Sequence, residues 1–170
     1  MTQYAANVQQ FSKVLKNILG WLDKAEAYAK NKGFDPQVLL VGRLAPDQFA
    51  LLRQLQLVSD WAKNGLSRVA GKTPPAFADE EHTLEQVRER LQKTVAYLET
   101  LKESDFDGLE TRVVPIARLP GKGALAPAYF VETVLPNFYF HVTTAYAILR
   151  HNGVDLGKKD FIGPVALQDL

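Results

Sequence analysis

Four stretches of this chain repeat one spacing of apolar residues, threes and fours in alternation, and that pattern constrains the fold more than any motif does. Residues at such intervals line one side of an α-helix and bury it against a neighbouring helix. The first stretch predicts a helix over about residues 2–32, with Val8, Phe11, Leu15, Ile18, Leu22, Ala25 and Ala29 as its stripe. Gly33 and Asp35-Pro36 end it. Gly20 costs about 1 kcal/mol there relative to alanine, so the sequence predicts a close helix contact at that point. A second helix is expected over roughly 46–70, opened by Pro46-Asp47 and closed by Gly71, with Leu51, Leu55, Val58, Ala62, Leu66 and Val69 facing inward. Thr83-Leu-Glu-Gln86 is a capping-box signature for a third helix over about 83–102. Its stripe is Leu84, Val87, Leu91, Thr94, Leu98 and Leu101, with Glu85, Arg88, Glu89 and Gln92 turned to solvent. The fourth runs from Pro136 to Gly153 and places Phe138, His141, Val142, Ala145, Ile148 and Leu149 on one face.

The joints between these helices carry weaker signals. Leu39, Leu40, Val41 and Leu44 lie in the connection 34–45, which packs over one end of the bundle or adds a helical turn. Thr111-Arg-Val-Val-Pro-Ile-Ala117 is extended and β-branched, and Leu119-Pro-Gly-Lys-Gly123 is turn-like, so residues 110–118 are expected to pair with 123–126. Pro115 confines the first strand to an edge. Residues 127–135 coil into a helical turn, and Pro136 is expected to break or kink the path. The tail packs back through Leu156, Phe161 and Ile162. The fold class that results is all-α: an up-down-type four-helix bundle with a small β-hairpin insertion before the last helix, one domain over residues 1–170.

Composition narrows the functional classes. There are 20 basic and 19 acidic residues, a balance without the electrostatic footprint of a nucleic-acid partner or an anionic membrane. Cysteine is absent, which rules out disulfides, zinc–thiolate sites and thiol catalysis. No apolar run approaches the roughly 20 residues a bilayer span needs, and Met1-Thr-Gln-Tyr-Ala-Ala-Asn shows no signal-peptide pattern. A cytoplasmic location is the expectation.

Chemistry has to centre on the three histidines. His82 sits in the acidic loop Asp79-Glu80-Glu81, and His151 lies in the last turn of its helix, where positive charge is favoured. His141 alone falls on a core-facing stripe. Its neighbours four residues away are Asn137 and Ala145, so it has no helical partner for chelation. A functional His141 needs partners from other helices, and the candidates lie on the second, where Gln54 and Ser59 flank the stripe and Gln56 and Asp60 share a face further round. Two readings stand: a core histidine hydrogen-bonded to one of these groups, or a functional imidazole in a cleft formed by Gln54, Gln56, Ser59, Asn137 and His141, with His141 and Asp60 as candidate catalytic groups. Phe138, Tyr139, Phe140 and Tyr146 are expected to pack the core and the cleft.

Residues 136–163, Pro-Asn-Phe-Tyr-Phe-His-Val-Thr-Thr-Ala-Tyr-Ala-Ile-Leu-Arg-His-Asn-Gly-Val-Asp-Leu-Gly-Lys-Lys-Asp-Phe-Ile-Gly, resemble the signature block of the DUF1993 family. The segment from Pro46-Asp47 through Arg53-Gln54 to Asp60 and Ala62-Lys63 is similar to that family's second helix. The resemblance implies a bundle of the DinB/YfiT-like superfamily, many of whose members are metal-dependent transferases or hydrolases. The metal site it implies uses three histidines, one on helix two and a pair four apart on helix four. This chain departs from it, with no histidine on helix two and only His141 at a family position on helix four. The expected function is therefore a DinB-like bundle that binds a small molecule or has lost catalysis. The alternatives are a transferase or hydrolase holding zinc or nickel through His141, and an interaction module that acts as a homodimer.

Overall fold

In the computed structural model, which describes residues 3–116 and 118–168, four long helices enclose one continuous apolar core. They are α1 (Gln3–Lys32), α2 (Leu51–Val69), α3 (Leu84–Leu98) and α5 (Leu135–His151). The apolar residues of all four stripes are buried except Leu101, which lies beyond α3 and is half-buried. The expected start of α1 at Thr2 and the expected strand residue Ala117 lie outside the described residues.

Side-chain pairs fix how the helices run. Lys16 meets Glu99 and Glu26 meets Arg88, so α1 and α3 are antiparallel. Ser59 bonds Thr94 at 2.7 Å and Ser67 bonds Tyr97 at 2.6 Å, so α2 and α3 are parallel. Phe11 stacks on Phe138 with ring centroids 3.9 Å apart, and Trp21 meets Tyr146 edge-on, so α1 and α5 are parallel. The order around the bundle is α1–α3–α2–α5. The parallel pair requires a crossover, which residues 70–83 supply.

Several helix ends depart from expectation. α2 begins at Leu51, not near Pro46. Residues 45–48 form a turn closed by Gln48 N–H on the Ala45 carbonyl, with Pro46 at its second position, where the fixed φ suits a turn as well as a helix start. The connection before it holds a 3₁₀ turn, Pro36–Val41, capped by Asp35; Leu39 and Leu40 are buried there, whereas Val41 and Leu44 face solvent. The capping box at Thr83 is present. α3 stops at Leu98 rather than at about 102.

Strands β1 (Val113–Pro115) and β2 (Gly123–Leu125) form the expected antiparallel hairpin, with Val114 opposite Ala124. The chain then coils continuously from α4 (Ala126–Tyr129) through a π-helical turn (Phe130–Val134) into α5. Pro136 therefore does not break the path. Proline removes an N–H and crowds the carbonyl four residues back. The wider turn just before it re-registers the backbone bonds. Gly153 ends α5 at φ +95°, a left-handed conformation that alanine would resist. The tail adds a short helix, α6 (Lys158–Ile162). Leu156 is buried and Phe161 stacks on Trp21, but Ile162 is exposed, and so is Phe140. Gly20 marks no contact, since a Cβ there would meet nothing within 4 Å.

Candidate functional site

His141 sits on the core face of α5 with 8% of its surface exposed. Its Nδ1 is 2.8 Å from Gln54 Oε1 on α2. Gln54 is oriented by donating its Nε2 hydrogen to the Phe49 carbonyl at 3.0 Å. The amide therefore turns its oxygen to the ring, and the imidazole must donate from Nδ1 and keep Nε2 as an acceptor. Burial, with the Arg53 guanidinium nearby, lowers the His141 pKa to about 4, so the ring is neutral at physiological pH.

The other residues singled out from sequence disperse. Ser59 is buried against Thr94 between α2 and α3. Asn137 turns back to donate to the Thr133 carbonyl at 2.7 Å. Gln56 and Asp60 do share a face, but it looks toward α3 and residues 77–81 and away from His141. Gln56 donates to Glu81 at 2.8 Å, and Asp60 accepts from Arg90 at 2.8 Å. His141 and Asp60 are joined by no hydrogen bond or ion pair. His82 and His151 are both exposed.

That second face holds a buried ionic cluster. Arg90, almost wholly enclosed, pairs with Asp60, with Asp79 at 3.0 Å and with Glu81 at 2.9 Å, and donates to the Ala78 carbonyl. Lys63, equally buried, pairs with Asp60 at 3.1 Å and lies 4.9 Å above the Phe77 ring. Burial pushes the Glu81 carboxyl up, but hydrogen bonds from Arg90 and Gln56 hold it below its ordinary value. Sequence reasoning missed Arg90. The signal was there: it stands three residues after Val87 and four before Thr94, the spacing of the inward stripe. Arg88, expected in solvent, is mostly covered and bridges to Asp23 and Glu26 on α1.

A cleft of about 440 Å³ opens on the outer side of α2. Leu57, Asp60, Trp61, Asn64 and Arg68 form its α2 wall, on one face of the helix. Pro115, Ile116 and Arg118 close it from the hairpin, and Tyr129, Thr133 and Asn137 from the coil that leads into α5. Arg68 donates to the Tyr129 hydroxyl at 3.2 Å. Larger hollows lie beside α1 and the tail, but their linings include no residue of the hairpin or of the α2–α5 pair, whereas this one gathers polar groups from all three.

The three-histidine metal site implied by the resemblance does not fit these residues. The side chain bonded to His141, Gln54, is an amide whose oxygen already accepts from the ring, and the charged group nearby, Arg53, is a cation that cannot ligate a metal. Among the described residues no group of three or more His, Asp or Glu side chains is placed to hold a metal ion.

Two pairs of helices around one core, with a polar site where the second long helix faces the last, define a DinB-like bundle. A crystal structure of a DinB family member from Shewanella denitrificans is similar at 45% identity with a TM-score of 0.93, over 96% of this chain and 93% of that one. The profile of the domain of unknown function DUF1993 matches residues 3–162, and the chain belongs to that family. No curated protein matches it significantly. Among the described residues no helix is long and apolar enough to cross a membrane.

Proposed function

We propose that this protein is a small-molecule-binding bundle that works without a metal, with the cleft beside α2 as its binding site. One observation carries the reading: an indole, a phenol, two amides and two guanidinium groups converge on a concavity of about 440 Å³, within the size range of small-molecule sites. His141 serves this site from behind. Its bond to Gln54 ties α5 to α2 and sets the distance between the cleft's walls. Such a protein has no need of a hydrolytic or transfer step, which accords with a His141 that has no carboxylate beside it.

The test is a library of small organic molecules read by the indole N–H resonance of Trp61, with buried Trp21 as an internal control. Binding at the cleft moves the Trp61 signal alone. Metal analysis of untagged protein addresses the competing chemistry. Stoichiometric zinc or nickel, lost in His141→Ala, would overturn the reading in favour of a metalloenzyme.

A further inference from the structure

We infer that the cleft takes a small organic anion, a carboxylate carried on a flat apolar body. The inference rests on the cleft being the binding site and adds the chemistry of the occupant. Arg68 and Arg118 are exposed at its rim, and neither has a carboxylate within ion-pair distance among the described residues. Among the described residues the Arg68 guanidinium bonds only to a neutral phenol. The cleft's one carboxylate, Asp60, is neutralised from behind by Lys63 and Arg90, both buried. A ligand therefore meets uncompensated positive charge.

The neutral groups agree. Tyr129 accepts from Arg68 through its hydroxyl oxygen, which leaves the hydroxyl hydrogen to donate outward. Asn64 accepts from Lys63 at 3.0 Å through Oδ1, which leaves its NH₂ group as a donor. Asn137 differs, since it gives one N–H to the Thr133 carbonyl and keeps its oxygen as an acceptor. Two guanidinium groups, a hydroxyl and an amide N–H thus ask for acceptors on the ligand. A carboxylate supplies two oxygens and the matching charge, and guanidinium groups bind it through paired hydrogen bonds. Among these donors, on the same walls of the cleft, Trp61 with Leu57, Pro115 and Ile116 offers apolar surface suited to a flat ring.

Three probes that differ only in their head group test this: 3-phenylpropionate, 3-phenylpropanamide and 3-phenylpropylamine. Each is titrated to about 10 mM, past the millimolar Kd expected of so small a ligand, while the Trp61 indole N–H signal is followed and assigned with Trp61→Phe. The acid should bind about tenfold more tightly than the amide. The amine should bind worst, and added salt should narrow the gap. The double variant Arg68→Gln/Arg118→Gln alters two exposed side chains, so it should keep its helical spectrum and its Trp21 signal while it loses the tenfold preference. If amide and acid bind alike, or the double variant keeps the preference, the ligand class is wrong and the cleft remains a binding site. Tightest binding by the amine would show that Asp60 governs the cleft and would overturn the inference. If no probe moves Trp61, the inference and the reading of the cleft fall together.

Discussion

Gly65 lies in the middle of α2, where alanine would favour the helix by about 1 kcal/mol. Gly65→Ala should nevertheless destabilise the protein. A Cβ at this position overlaps Cγ1 of Val134 and stands 3.1 Å from its Cγ2 and 3.3 Å from its Cβ. Val134 is fully buried in the π-helical turn, and its branched side chain has few alternative rotamers, so it has no way to yield into solvent. Overpacking costs about 1–3 kcal/mol, and one overlap with two further tight contacts on the same buried side chain belongs at the upper end. Subtracting the gain in helix propensity leaves a loss of about 2 kcal/mol. For a chain of this length that lowers Tm by roughly 4–8 °C, measurable by circular dichroism melts and urea titration. In a Val134→Ala background the sign should reverse, because the new methyl then fills space left by the valine. A Gly65→Ala protein as stable as the parent, or a loss of equal size in both backgrounds, would refute the contact.

Gly20→Ala is the converse: with nothing within 4 Å of the new methyl, it should stabilise by about 1 kcal/mol, and any loss in urea unfolding would contradict it. Leu91→Ala should cost about 2–5 kcal/mol, the range for a fully buried leucine, whereas a loss under about 0.5 kcal/mol would be that of a surface site. Arg90→Gln, which strips the cation from three carboxylates, should cost about 3 kcal/mol, at the low end for a broken buried pair because its partners are partly hydrated; a change near zero would mean the cluster contributes no stability. For His141, the folded pKa of about 4 lies below the unfolded value, so its contribution is complete above pH of about 6.5, falls by about 3 kcal/mol as pH drops toward 4 and then levels off. The difference in unfolding free energy between the parent and His141→Gln should follow that curve, and a flat difference would show an ordinary, hydrated imidazole.

The four stripes were legible because burial of a helix face is a local periodicity, and a reader needs only the spacing of Val8 to Ala29 or of Leu51 to Val69 to find it. The start of α2 was not, because Pro46 and Asp47 suit a helix start and a tight turn equally. What decides between them is the Leu51 N–H bond to the Gly42 carbonyl and the Gln54 bond to Phe49. Those contacts reach beyond the helix's own repeat. Gln54 could be named as a partner for His141 from its place beside the stripe, and the shared face of Gln56 and Asp60 could be found the same way. What that face meets could not. Residues 77–81 carry no periodicity, so Phe77, Asp79 and Glu81 gave no sign that they fold over Arg90. The cleft wall Leu57, Trp61, Asn64 and Arg68 does follow helical spacing. It went unseen because its mixed polarity resembles an ordinary solvated face until the hairpin closes over it.

The register of α2 against α5 connects these observations. Gln54–His141 pins the pair at one end, and the Gly65–Val134 approach pins it at the other, about three helical turns away. The cleft residues Leu57 to Arg68 occupy the adjoining face between and just beyond those two points. An amide and a neutral imidazole cross-link the two helices at the first of these points, with the ring's Nδ1 committed. The same stretch of α5 carries Pro136, whose missing N–H the π-helical turn accommodates, and that turn presents Val134 to Gly65 on one side and Thr133 to the cleft on the other. Disturbing either pin should therefore alter the cleft before it unfolds the bundle. Gly65→Ala at moderate denaturant, well short of the unfolding transition, should shift the Trp61 resonance while leaving that of Trp21 in place. Equal movement of both would mean that the wall of the cleft is not set by this register.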